Sequence, residues 1–173
     1  LEIALIEKNE FPKHKVCGEY ISNEVLPYLE WLDLKISDLN PSEISKIEFS
    51  TADGKIISGN LPLGGFGISR YSFDYFLYEK AHALGVIFYL REEVEKITFS
   101  DENFFIKTQH RELIADIVVG AFGKRSKIDI QLNRSFTQKR SPYVGVKYHI
   151  KTDHPNDLIA LHNFNGGYCG ISN

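Results

Sequence analysis

The chain has 173 residues, 43% of them hydrophobic and 25% charged, with a formal net charge of −3. That length gives one domain, or one domain with part of another, and suffices to bury a hydrophobic core. Scattered Lys and Arg speak against nucleic acid, which needs a concentrated basic face. No apolar run approaches the roughly 20 residues of a membrane-spanning helix. Two cysteines, Cys17 and Cys169, make no disulfide framework and point to a reducing, cytoplasmic setting.

Residues 2–7 (EIALIE) are predicted as a strand. Ile3, Ala4, Leu5 and Ile6 form a continuous apolar run, the pattern of a parallel strand covered on both faces. A polar loop with Pro12 and Gly18 follows. Ser22 is placed as N-cap of a helix over 23–32, with Glu24 in its first turn; Pro27 predicts a late start or a kink. Residues 44–60 read as a hairpin turning at Ala52-Asp53-Gly54. The glycine-rich "LPLGGFGIS" is expected as a connection into Arg70. The stretch "SFDYFLYEKAHALG" fits an amphipathic helix, with Gly85 as its stop.

The runs VIFYL, EEVEKITFS, NFFIKTQ and ELIADIVVGAF follow. The last three resemble a β-meander feeding into a buried strand at Ile117–Gly120. "GKRSKIDI" is expected to make a turn of helix, and YVGVKYHIK, LIALHNF and GGYCGIS read as further strands. A boundary is placed near Gln131–Pro142, which is polar and unpatterned. There is no methionine, and strand-like sequence runs up to both ends. The chain therefore reads as an internal piece of a larger α/β protein, since parallel strands need crossovers.

Glu7 closes the first strand. In a dinucleotide-binding βαβ unit the second strand ends in a carboxylate that accepts hydrogen bonds from a ribose diol. Two readings stand here: that carboxylate, or an ordinary exposed Glu. The glycine loop that would decide is not in this sequence. The six histidines (14, 82, 110, 149, 154 and 162) show no metal-ligand spacing. "GKRS" imitates a P-loop, but Val118 and Arg125 stand where that motif needs Gly and Ser or Thr, so a nucleotide triphosphatase is rejected. Glu92-Glu93 and Asp101-Glu102 read as solvated turn charges. Folding could bring Asp129 and His162 together, but no triad follows from that.

Four segments resemble one family, in its order and over nearly the whole chain. The first is Glu7 followed by Pro12, Lys15, Cys17 and Gly18. The second is Arg70, Phe73, Asp74 and Leu77. The third is "ADIVVGAFGKRS", and the fourth and weakest is "GGYCGIS". Together they resemble the FAD-dependent oxidoreductases of the p-hydroxybenzoate hydroxylase fold, in the geranylgeranyl reductase-like branch. The resemblance implies an α/β fold: a partial Rossmann-like FAD/NAD(P)-binding region over 1–43 and 68–130, with a β-rich substrate region over 44–67 and 131–173. It implies that Glu7, Lys8, Lys15, Cys17, Gly18, Arg70, Val94, Gly120, Gly123 and Ser126 bind FAD. No catalytic residue is assigned.

The implied chemistry is reduction or hydroxylation of a small hydrophobic molecule, with reduction slightly preferred. NAD(P)H or a carrier protein would supply electrons, and peripheral membrane contact is implied only if the substrate is a lipid. The family's phosphate loop is expected roughly 20–25 residues before Leu1, so the chain as it stands is expected to bind FAD weakly or not at all. Arg70 is either a fork for phosphate or flavin or a solvated first-turn arginine. Cys17 either packs near the flavin or is a small buried hydrophobe. Phe122 departs from the family's Asp and cannot accept a hydrogen bond. That departure keeps open the alternative of a non-catalytic α/β binding module or a relative that no longer binds flavin.

Overall fold

A computed structural model describes residues 1–123, 126–139 and 141–173. Lys124 and Arg125, within the expected helical turn and the P-loop comparison, and Arg140, in the polar stretch, lie outside the described residues. The fold is mixed α/β. In chain order its elements are β1 (Ala4–Glu7), β2 (Tyr20–Ser22), α1 (Leu26–Trp31), β3 (Ser42–Ser50), β4 (Ile56–Gly67), α2 (Arg70–Ala83), β5 (Ile87–Leu90), β6 (Val94–Ser100), β7 (Asn103–Thr108), β8 (Glu112–Ala115), α3 (Lys127–Gln131), β9 (Leu158–Phe164) and β10 (Gly167–Ile171). Short 3-10 turns lie at Asn23–Val25, Ile36–Leu39 and Ser135–Gln138.

The chain divides into two compact units, Leu1–Phe11 with Tyr78–Val144 and Pro12–Leu77 with Gly145–Asn173. These cuts differ in place from the expected FAD-binding and substrate regions, which are regions of function that packing alone does not assign.

In the first unit β1 pairs in parallel with β5, Ala4 opposite Ile87 and Glu7 opposite Leu90. The parallel partner agrees with the unbroken apolar run. The expected cover on both faces is not found, because Ile3 and Leu5 remain exposed. Phe11 stacks on Tyr78 at 5.1 Å between ring centres, and Tyr78 meets Phe88 edge-on at 4.6 Å. β6, β7 and β8 form the expected antiparallel meander, with Ile106 opposite both Ile97 and Leu113 and buried. The expected strand at Ile117–Gly120 does not form. β8 stops at Ala115, and Ile117 and Val119 are 78% and 83% exposed. Among the described residues no strand pairs with this run, and an unpaired run has no ladder to hold it.

Glu92 corrects a second expectation, since it is buried and not a solvated turn charge. Only 2% of its surface is exposed. Its carboxylate accepts from the Thr108 hydroxyl and from Arg111 Nε at 2.9 Å, and the Arg111 guanidinium lies 3.9 Å above the Tyr89 ring centre. The Thr108 hydrogen bond, aided by Arg111, holds the carboxyl below its ordinary value of 4.5 against the opposing effect of burial. Asp101 and Glu102 are exposed at a turn, both at positive φ.

The second unit is built on a five-stranded sheet of order β10-β9-β3-β4-β2. β3 and β4 are the expected hairpin, closed between Ser50 and Ile56, with Gly54 at φ +84° in the turn. β9 joins β3 in parallel and β10 in antiparallel fashion. Ser22 caps the 3-10 turn that precedes α1, and Pro27 lies in the first turn of α1, the late start that it predicts. Leu29, Ile36, Phe66, Ile68 and Phe76 form the core.

Two expectations change here. "LPLGGFG" is no connection: it continues β4, because its backbone bonds to both β2 and β3. Residues 143–151 belong to no strand. Val144, Val146, Tyr148 and Ile150 are exposed, while Lys147 is ion-paired to Glu19 and His149 Nε2 lies 3.6 Å from the same carboxylate.

Gly65 is the β4 glycine that the β2 strand requires. A Cβ there would meet the Tyr20 ring at 2.4 Å and the Ile21 carbonyl at 2.6 Å, whereas at Gly59 the nearest atom, of Ile47, is 3.9 Å away. Gly65→Ala is therefore expected to cost about 1–3 kcal/mol in urea unfolding. Gly59→Ala should stay within about 0.5 kcal/mol of the parent.

Candidate functional site

The first unit places Glu7 at the carboxyl end of a parallel strand pair, where open α/β sheets bind their ligands. Its half-buried side chain is oriented locally. Oε1 accepts from the Asn9 backbone N–H at 2.9 Å and from Asn9 Nδ2 at 2.7 Å. Among the described residues no hydrogen bond reaches Oε2. Lys8 follows, exposed. The end of β5 staples this turn: Arg91 N donates to Asn9 O at 3.3 Å, Glu92 N donates to Glu7 O at 3.1 Å, and Arg91 Nη2 reaches Glu10 Oε1 at 2.5 Å. Arg91 adopts φ +56°, the left-handed conformation that lets the chain turn back there. Val94 opens β6 opposite Thr108.

The remaining candidates of this unit lie after β8. Gly123 is at φ +75° with open space where a Cβ would be. Gly120 is bare for a different reason. A Cβ there would meet the Phe122 ring at 2.8 Å, so the aromatic ring occupies the space over this glycine. Ser126 caps α3, its hydroxyl accepting from Ile128 N at 3.0 Å. Asp129 is buried and paired with Arg134 at 3.4 Å.

The second unit brings Lys15, Cys17 and Arg70 together, through a residue not counted among the candidates. Asp74 takes both a 2.6 Å bond from Arg70 Nε and a 2.9 Å bond from Arg70 Nη2, and pairs with Lys15 Nζ at 2.8 Å. Its side chain is 9% exposed, while those of Arg70 and Lys15 are 33% and 39% exposed. The Cys17 thiol lies beside the same guanidinium. Burial pushes the Asp74 carboxyl up, but the hydrogen bonds and charges of Arg70 and Lys15 outweigh it and hold the group below its ordinary 3.8. Gly18 is exposed, and its carbonyl accepts from Ser172 Oγ at 3.2 Å. The i, i+4 spacing of Arg70 and Asp74 on a helix is the signal that could have found this pair from sequence.

Glu19, next in the loop, carries no motif. Its carboxylate accepts from Arg70 N at 2.6 Å, at the start of α2, and pairs with Lys147 and, at 3.6 Å, with His149 Nε2. Burial opposes its charge, but these partners hold it below its ordinary 4.5. His14 packs against Tyr71 at 4.6 Å and against His149 at 4.8 Å. His162 bonds Ser50 Oγ at 2.9 Å through Nδ1.

With this geometry in hand, solved structures supply the fold comparison. The chain superposes on a geranylgeranyl bacteriochlorophyll reductase-like protein from Thermoplasma acidophilum with a TM-score of 0.76 and 17% identity, over 99% of this chain and 47% of that one. It superposes on CmlS, a flavin-dependent halogenase, with a TM-score of 0.75 and 16% identity, over 99% of this chain and 35% of that one. A third match is the halogenase PltM, solved with phloroglucinol and FAD: TM-score 0.70, 14% identity, 96% of this chain and 42% of that one. The chain has a flavoprotein fold. It spans between a third and a half of the length of these structures. No family model and no curated protein matches it.

Asp74 sets a stability prediction. Asp74→Asn should cost about 2 kcal/mol at neutral pH, less than the 3–5 kcal/mol of a fully buried pair because both cations keep a third of their surface in water. The carboxyl's pKa is lowered on folding, so its contribution is complete above 3.8 and lost as pH falls through the depressed value. The gap between variant and parent in urea unfolding should therefore shrink on acidification below pH 3.8.

Proposed function

We propose that this chain is part of an FAD-dependent oxidoreductase and that Glu7 accepts the ribose diol of the FAD adenosine. One observation carries this: a carboxylate with an oxygen unbonded among the described residues, at the carboxyl end of a parallel pair, in a chain whose fold is that of flavoproteins. The residues fit the group unevenly. The Glu7 end supports it, since no described residue bonds Oε2 and neighbouring Glu10 and Glu92 are paired with Arg91 and Arg111. The turn at Gly120 does not, because the Phe122 ring lies over the glycine.

Bound FAD would supply hydride and electron transfer; the protein's part is to bind, orient and exclude water. Glu7 would hold the adenosine. Asp74 would keep the Lys15–Gly18 segment ordered through Lys15 and Arg70. We assign the reaction to reduction of an unsaturated hydrophobic molecule in preference to hydroxylation, on the resemblance of the Pro12–Gly18 segment, with NAD(P)H or a carrier protein as donor. Phe122 favours a second reading, a relative that has lost flavin.

Protein expressed from the complete gene separates the two. The enzyme reading expects a yellow protein whose flavin bands bleach on reduction, and a colourless, folded protein that FAD cannot reconstitute overturns it. In the yellow protein, Glu7→Gln should weaken FAD binding about 10- to 100-fold, the worth of charge-assisted hydrogen bonds. The check is fluorescence titration of the flavin-stripped protein.

A further inference from the structure

We propose that Asn9 is a positioning residue for this site, aiming the free oxygen of Glu7 at both hydroxyls of a vicinal diol, so that the site selects adenosine nucleotides with unsubstituted 2′ and 3′ hydroxyls. The inference rests on the adenosine reading of Glu7. A carboxylate offers about four acceptor positions, two on each oxygen. Asn9 fills both positions of Oε1, with its backbone N–H at 2.9 Å and its side-chain amide at 2.7 Å. Among the described residues nothing bonds Oε2, which leaves two positions, matched in number to the two donors of a ribose diol.

Asn9 is itself held. Its carbonyl accepts from Arg91 N at 3.3 Å, and the preceding turn is fixed by the bond from Glu92 N to Glu7 O at 3.1 Å. Both ends of the Glu7–Asn9 turn are thus tied to the chain leaving β5. A glutamate side chain at a strand tip has three rotatable bonds, and freezing them on binding costs entropy. Asn9 makes that cost part of folding, which leaves the carboxylate preorganised. The same carboxylate repels a phosphate on the 2′ oxygen, so a 2′-phosphorylated nucleotide is excluded here.

The test is calorimetric titration of flavin-stripped protein, expressed from the complete gene, with ADP, 2′-deoxy-ADP and adenosine 2′,5′-bisphosphate. The parent should bind ADP about tenfold or more tighter than 2′-deoxy-ADP and should reject the 2′-phosphate. Asn9→Ala should lower ADP affinity about three- to tenfold and narrow the ADP to 2′-deoxy-ADP ratio. Asn9→Ser, which keeps a short donor, should recover part of the ratio. A role confined to stabilising the loop would move both affinities together and leave the ratio alone. If Asn9→Ala keeps the parental ratio while Glu7→Gln abolishes it, Asn9 has no positioning role and the reading of Glu7 stands. If the parent shows no preference for the ribo form, both fall.

Discussion

The parallel pairing of Ala4–Glu7 with Ile87–Leu90 sets the carboxyl ends of two strands side by side, and the chain leaving each end must turn sharply in the same small space. The first turn is closed by Asn9 on the Glu7 carboxylate, and the second by Arg91 in the left-handed conformation. The two turns are then bonded to each other through Arg91 N to Asn9 O and Glu92 N to Glu7 O. The Glu7 side chain is held by Asn9 and, among the described residues, is not consumed by an ion pair. That is the constraint from which the functional reading of the first unit follows.

Glu92 shows how this end is braced. Its buried carboxylate ties the exit from β5 to the end of β7 through Thr108 and to Arg111, which stacks on Tyr89 within β5 itself. A buried charge persists only where it is paired and hydrogen-bonded, and Glu92 meets both conditions. In the second unit Asp74 plays the comparable part, gathering Arg70 and Lys15 from two separate motifs. The Pro12–Gly18 and Arg70–Leu77 segments thus share a structural reason to occur together, whatever else they contact.

The sequence made some of this legible and hid the rest for physical reasons. The unbroken apolar run Ile3–Ile6 announced a parallel strand, because period and composition report local environment directly. Asp53-Gly54 announced the hairpin through its backbone preference. Glu92 and Asp74 were hidden as buried hubs because burial of a charge depends on partners up to 19 and 59 residues away, Arg111 and Lys15. Ile117–Gly120 misled because a strand needs a neighbour as well as a pattern. "LPLGGFG" misled because Gly65 answers to the Tyr20 ring and the Ile21 carbonyl, which only the folded sheet brings close. Among the candidate residues, the resemblance singled out Lys15, Cys17 and Arg70 one by one without implying that Asp74 gathers them, and Asn9, whose importance lies in two short bonds to one oxygen, carried no signal at all.

The central claim is that Glu7 meets an adenosine ribose. A crystal structure of the protein from the complete gene, grown with FAD, tests it most directly. The account predicts a ribose hydroxyl within hydrogen-bond distance of Glu7 Oε2, about 2.5–3.0 Å, with Asn9 still on Oε1. A bound flavin whose ribose contacts another residue, with Glu7 facing solvent, would contradict it.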